Sequence, residues 1–148
     1  MFHKTIREGV TGEAVGLIVS LLLAPAAALA ERAPETIDGA TRVNAEELIE
    51  LANGRDDLVI IDSRISGDRK QGYLEGSVSL PDGDTNCDAI AKRVPSRATP
   101  VLFYCNGVRC NRSGRAVAAA VACGYRNIYW FRGGFEEWVS KGYPYLRE

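Results

Sequence analysis

The segment VLFYCNGVRCNRS, residues 101–113, gathers the side chains best suited to covalent chemistry. It holds two thiols, Cys105 and Cys110, and two fixed positive charges, Arg109 and Arg112. A thiolate can attack an electrophilic sulfur, ligate a soft metal, or pair with a second thiol as a disulfide. The rest of the chain weighs against the metal. Its four cysteines, Cys87, Cys105, Cys110 and Cys123, contain no C-x-x-C pair, the usual signature of a zinc half-site. Its one histidine, His3, lies in a segment that reads as a removable leader. Without that histidine the remaining domain has neither Cys-His nor Ser-His-Asp catalysis. No cofactor or metal is therefore expected. The chemistry is left to cysteine, arginine, carboxylates and backbone dipoles.

The elements around this segment explain how a thiol there would be activated. PVLFYC (100–105) reads as a buried strand with Cys105 as its last residue. RSGRAVAAAVACGY, from Arg112 or Ser113, reads as an Ala-rich helix ended by Gly124. Sites in open α/β sheets form outside the carboxyl ends of strands. A helix N-terminus offers N–H groups without intrahelical partners and a positive dipole end. Asn106, Gly107, Val108, Arg109, Cys110 and Asn111 can add further N–H groups as an anion-binding nest, with Arg112 and Ser113 at the helix start. Cys105 is thus expected to be a nucleophile of lowered pKa, with Arg109 and Arg112 as anion partners. Cys123 is expected to face the core from its helix, and Cys87 to lie near a turn. A disulfide from Cys87 is open as to its partner.

The chain has 148 residues and a formal net charge of −1. That is a profile of one globular domain without the basic footprint of a nucleic-acid binder. Residues 1–30 carry Lys4 and Arg7, then the apolar GLIVSLLLAPAAALA ending in Ala-Leu-Ala. This pattern predicts a signal peptide, hence a periplasmic or secreted protein with no stable membrane span after cleavage. Residues 31–41 read as an arm and 42–148 as the domain. VNAEELIELANG predicts a helix with Asn44 and Glu47 as a capping box, Leu48, Leu51 and Ala52 as its apolar stripe, and Gly54 at C′. DLVIID (57–62), SVSLP and NIYWF (127–131) read as strands, and a helix follows PDGDTN. GGFEEWVSKGYP reads as a final short helix. Strands alternating with helices predict an α/β fold, a mainly parallel sheet flanked by helices on both faces.

These stretches together resemble the rhodanese-like domain family. VIIDSR is similar to its Asp-Val-Arg strand, with Asp62 and Arg64 matching and Ser63 in place of valine. GYLEGSVSLP is similar to its Gly-His-Ile-x-Gly-Ala stretch, with Tyr73 where histidine is frequent. The segment from Val101 to Tyr125 resembles the active-loop strand, cysteine and helix. NIYWFRGGFEEWVSKGYP resembles the terminal segment at Gly133, Gly134 and Trp138.

The resemblance implies a sulfurtransferase. Cys105 would take a sulfane sulfur from an anionic donor such as thiosulfate, hold it as a persulfide, and pass it to cyanide, a thiol or a protein thiol. The loop departs from the family pattern Cys-x-x-Gly-x-Arg-Ser. Gly107 comes one residue earlier, and Arg112-Ser113 about two residues later. An enlarged loop also occurs in phosphatase and arsenate-reductase members, but no acidic residue lies inside this one to act as a general acid. Cys110 opens a redox alternative, as a resolving thiol that closes a disulfide with Cys105. A noncatalytic module that binds sulfur anions or a partner protein is the third alternative.

Overall fold

The computed structural model describes residues 32–148; the expected signal peptide over 1–30 lies outside them. Five parallel strands form one sheet in the order β1-β5-β4-β2-β3. They are β1 (Ala40–Val43), β2 (Val59–Asp62), β3 (Ser77–Ser79), β4 (Val101–Tyr104) and β5 (Ile128–Phe131). The central β4 is buried along its whole length. Such continuous apolar sequence suits a parallel strand covered on both faces.

The α-helices are α1 (Ala45–Gly54), α2 (Cys87–Ala91), α3 (Arg112–Ala122) and α4 (Gly134–Ser140). On one face, Ile90 of α2 and Ala116, Val117 and Ala120 of α3 pack with Ile61, Phe103, Ile128 and Trp130. On the other, Ala45 and Leu48 of α1, with Phe135 and Trp138 of α4, pack with Leu102, Tyr104 and Phe131. The expected α/β fold with helices on both faces is present.

Local chemistry places these elements. The Asn44 side chain accepts from Glu47 N–H (2.9 Å), and Glu47 accepts from Asn44 N–H (2.8 Å), so α1 starts with the expected capping box. Gly54 is the last residue of α1, with an extended Arg55 as C-cap, so it does not serve as a left-handed C′ glycine. Of the expected stripe, Leu48 is buried and Leu51 half-buried, while Ala52 faces water.

Three further expectations need correction. The arm over 31–41 ends inside β1, whose backbone pairs with β5 although only Val43 of its residues is buried. Strand β4 stops at Tyr104, so Cys105 opens the loop. Cys123 is the C-cap of α3 and is bonded to Cys87 with a Cα–Cα distance of 5.5 Å. Its sulfur joins two helices at the edge of the core, where Cys87 is exposed.

A buried polar cluster ties β2 to β4 beside the loop. Asp62 Oδ1 accepts from the Arg64 backbone N–H (3.1 Å) and from Arg64 Nε (2.9 Å). Asp62 Oδ2 accepts from Arg64 Nη2 (2.7 Å), the Tyr104 hydroxyl (2.8 Å) and Arg69 Nη1 (3.4 Å). Arg64 also donates to the Gly72 carbonyl (2.8 Å) and lies over the Phe135 ring. Burial, and then the Asp62 charge, push the Tyr104 hydroxyl above its ordinary pKa, so it stays a donor. Every charge in this cluster has partners, which burial of ions requires.

Candidate active site

Cys105 follows β4 directly, and the loop Asn106–Asn111 runs from it to α3. The first residues of α4 hold the start of this loop. Phe135 N–H donates to the Cys105 carbonyl (2.9 Å) and Glu136 N–H to the Asn106 carbonyl (2.7 Å). These are orphan donors of a helix N-terminus satisfied by a neighbouring chain segment. Gly134 makes the approach possible: its φ is +58°, and a Cβ there would strike the Cys105 carbonyl oxygen. The loop then turns. Cys110 N–H donates to the Gly107 carbonyl (2.9 Å), which folds Cys110 back toward Cys105.

The result is a pair of interacting thiols. Cys105 is buried and donates its S–H to the Cys110 carbonyl (2.9 Å). Ser113 Oγ donates to Cys105 Sγ (3.3 Å), and Trp130 Nε1 donates to Ser113 Oγ (3.0 Å). The indole thereby fixes the hydroxyl rotor so that its proton faces Cys105. The Cys105 sulfur also accepts from Ser113 N–H, while the Cys110 sulfur accepts from the N–H groups of Arg112 and Asn106. The nest expected around an external anion is therefore occupied in part by the chain's own second sulfur.

Acidity follows from this arrangement and reverses one expectation. The Cys105 thiol is pushed up, first by its hydrogen bond with Cys110 and then by burial. Cys110 is lowered to about 6, first by its hydrogen bond with Cys105; burial opposes this, while the backbone donors of Arg112 and Asn106 and the Arg112 charge support it. A cradle that was expected to acidify Cys105 instead acidifies Cys110, first because the folded-back loop lets Cys105 share its proton with that sulfur and then because two backbone donors face it.

A model of the rhodanese-like domain matches residues 44–141. The chain belongs to the rhodanese-like domain family. The uncharacterised protein YibN of Escherichia coli strain K12 is 23% identical over 108 residues, spanning 72% of this chain and 71% of YibN. Among solved structures, the BH2092 protein of Bacillus halodurans superposes with a TM-score of 0.64 at 24% identity, over 73% of this chain and 77% of that one. A thiosulfate sulfurtransferase from Pseudomonas aeruginosa gives 0.60 at 22% identity, over 73% of this chain and 20% of that one. At these identities the likeness is one of fold.

The rhodanese-like loop brings the expected residues together unequally. Cys105, Cys110 and Ser113 converge, with the Asn106 and Arg112 amides around them. Val108 points its carbonyl the other way, to Ala33 N–H (3.2 Å). Arg112 is not a free anion partner: it lies 3.6 Å from Asp68 and 4.0 Å from Asp82. Arg109 is exposed and has no ion pair among the described residues, so its charge is open to an incoming anion. Asn111 precedes α3 but makes no side-chain cap, and its Oδ1 packs against Gly114.

Several neighbours carried little signal in the sequence. Trp130 reads as a core residue within an apolar strand, and only the need of a buried indole N–H for a partner pointed further. Asp68 and Asp82 lie in the short helical turns Ser66–Lys70 and Asp82–Asp84, outside the regular strands and helices. The docking of the arm was also not foreseen: Arg132 donates to the Pro34 (2.6 Å) and Ala33 (3.0 Å) carbonyls and to the Glu35 carboxylate (2.7 Å).

Proposed function

We propose that this rhodanese-like protein is a sulfurtransferase that carries sulfane sulfur on Cys105. The observation that carries the reading is the pair of Ser113 donors, Oγ–H and N–H, directed at the one sulfur that the strand end and α4 hold in place. The Cys110 thiolate lies in hydrogen-bond reach of the Cys105 thiol and takes its proton. An anionic donor attracted by Arg109 competes for the Asn106 and Arg112 amides and drives the negative charge onto Cys105. The Cys105 thiolate then attacks the outer sulfur of thiosulfate. The donor's S–S bond breaks and sulfite leaves with the bonding pair. The resulting persulfide anion is stabilised by the loop N–H groups and the Ser113 hydroxyl. Cyanide or a thiol takes the outer sulfur, and Cys105 leaves as thiolate.

The name of the Pseudomonas aeruginosa neighbour, a thiosulfate sulfurtransferase, supports thiosulfate as the donor to test first. The Cys87–Cys123 disulfide supports work in an oxidising compartment, as export to the periplasm or medium would provide. The experiment is thiocyanate production from thiosulfate and cyanide. Cys105→Ser abolishes it under this proposal; full turnover by that variant refutes the assignment.

A further inference from the structure

The second sulfur of the loop is absorbed by no step of simple sulfur transfer. Cys110 reaches its place through a built arrangement. The Gly107–Cys110 turn folds it back, its carbonyl holds the Cys105 S–H at 2.9 Å, and its sulfur faces two backbone N–H groups. Each of these contacts involves loop residues between Cys105 and the start of α3. A sulfur carrier that only hands its cargo to an external acceptor has no use for a thiol there. A thiol next to a persulfide can instead resolve it.

From the juxtaposition of Cys105 and Cys110 we propose a second activity: reduction of sulfane sulfur to sulfide, with the two loop cysteines as the electron source. The inference rests on the persulfide reading above and extends it. Cys110 gives up the proton it took from Cys105 and attacks the inner sulfur of the Cys105 persulfide. The Cys105–Cys110 bond forms and the bond to the outer sulfur breaks. The outer sulfur departs with the electron pair, takes the proton released by Cys110 and leaves as hydrosulfide. The two thiols are oxidised to a disulfide, and the sulfane sulfur is reduced to sulfide. For thiosulfate the sum is one sulfite and one sulfide released and one disulfide made. A dithiol reductant, a protein dithiol in the cell or dithiothreitol in vitro, then restores both thiols. The lowered acidity range of Cys110 supports its role as the attacking thiolate at neutral pH.

The test is a single turnover with the full-length protein, its loop thiols reduced and excess reductant removed. Thiosulfate is added without any acceptor, and sulfite, sulfide and the Cys105–Cys110 peptide are measured together. A parallel reaction uses glutathione persulfide, so that failure to accept thiosulfate is separated from failure to resolve a persulfide. The proposal expects about one sulfide per chain and a linked Cys105–Cys110 peptide. Cys110→Ala and Cys110→Ser load Cys105 more slowly because the base is gone, but each sulfur that reaches Cys105 stays there and no sulfide is released. Sulfite release with a lasting persulfide on wild-type Cys105, or an added sulfur that moves to Cys110, overturns the resolving step while the sulfurtransferase reading stands. Wild-type protein that gives neither sulfide nor added sulfur on Cys105 from either donor overturns both.

Discussion

Cys105 and Cys110 share a proton, and their acidities diverge first for that reason and then because they face different donors. Cys105 accepts from Ser113 and gives its proton toward Cys110; Cys110 accepts from the backbone at both ends of the loop. A thiol lowered to about 6 is mainly thiolate above that pH and protonated below it. Alkylation by iodoacetamide is therefore expected at Cys110 first, falling as pH drops through about 6, with Cys105 modified more slowly at neutral pH. Peptide mapping across pH checks this, and first labelling of Cys105 at neutral pH would contradict it. The two cysteines and the glycine of this loop were readable in the sequence, and so was their strand-to-helix setting. Their order of acidity was not, because it depends on which way the Gly107–Cys110 turn folds and on an Arg112 side chain engaged by Asp68 and Asp82.

At the scale of elements, the loop is held between two neighbours. Strand β2 and the residues after it anchor the Tyr104 end through Asp62, and α4 anchors Cys105 and Asn106 through its first N–H groups. Asp62→Ala removes the acceptor for Arg64, Arg69 and Tyr104 together, and an ion left unpaired in the interior costs on the order of 3–5 kcal/mol. Urea denaturation is expected to show a loss of that size; a loss under about 1 kcal/mol would mean that water reaches the cluster. The central strands, α1 with its capping box, and α3 were legible because apolar periodicity and caps are local signals. Strand β1 was not, because its pairing with β5 is long-range and only Val43 of its side chains is buried. The approach of α4 to the loop was marked only by Gly134, whose positive φ and contact with Cys105 backbone depend on the folded structure.

Across the whole molecule, the sheet order puts β4 between β2 and β5, so one loop meets the arm, α3 and α4 at once. The Cys87–Cys123 bond staples α2 to the end of α3, closing a sequence separation of 36 residues that contains Cys105. Loop-closure entropy for a ring of that size gives a stabilisation of about 4 kcal/mol. The double variant Cys87→Ala, Cys123→Ala is expected to melt on the order of 10 °C lower, with thiocyanate turnover per folded molecule unchanged. An unaltered melting temperature would show that the bond does not form in solution. The sequence showed that Cys87 had a choice of partners; only the packing of α2 on α3 selects Cys123. Sulfur transfer here turns on a single atom, the sulfur of Cys105, and the mass of the peptide that bears it reports directly on that atom. Reaction of the Cys110→Ala protein with thiosulfate, prolonged because the Cys110 base is gone, followed by acid quench, blocking of thiols and peptide mapping, is expected to find one added sulfur atom on Cys105. Sulfite released without any added sulfur on that residue, or sulfur found elsewhere in the chain, would rule out sulfur transfer through Cys105.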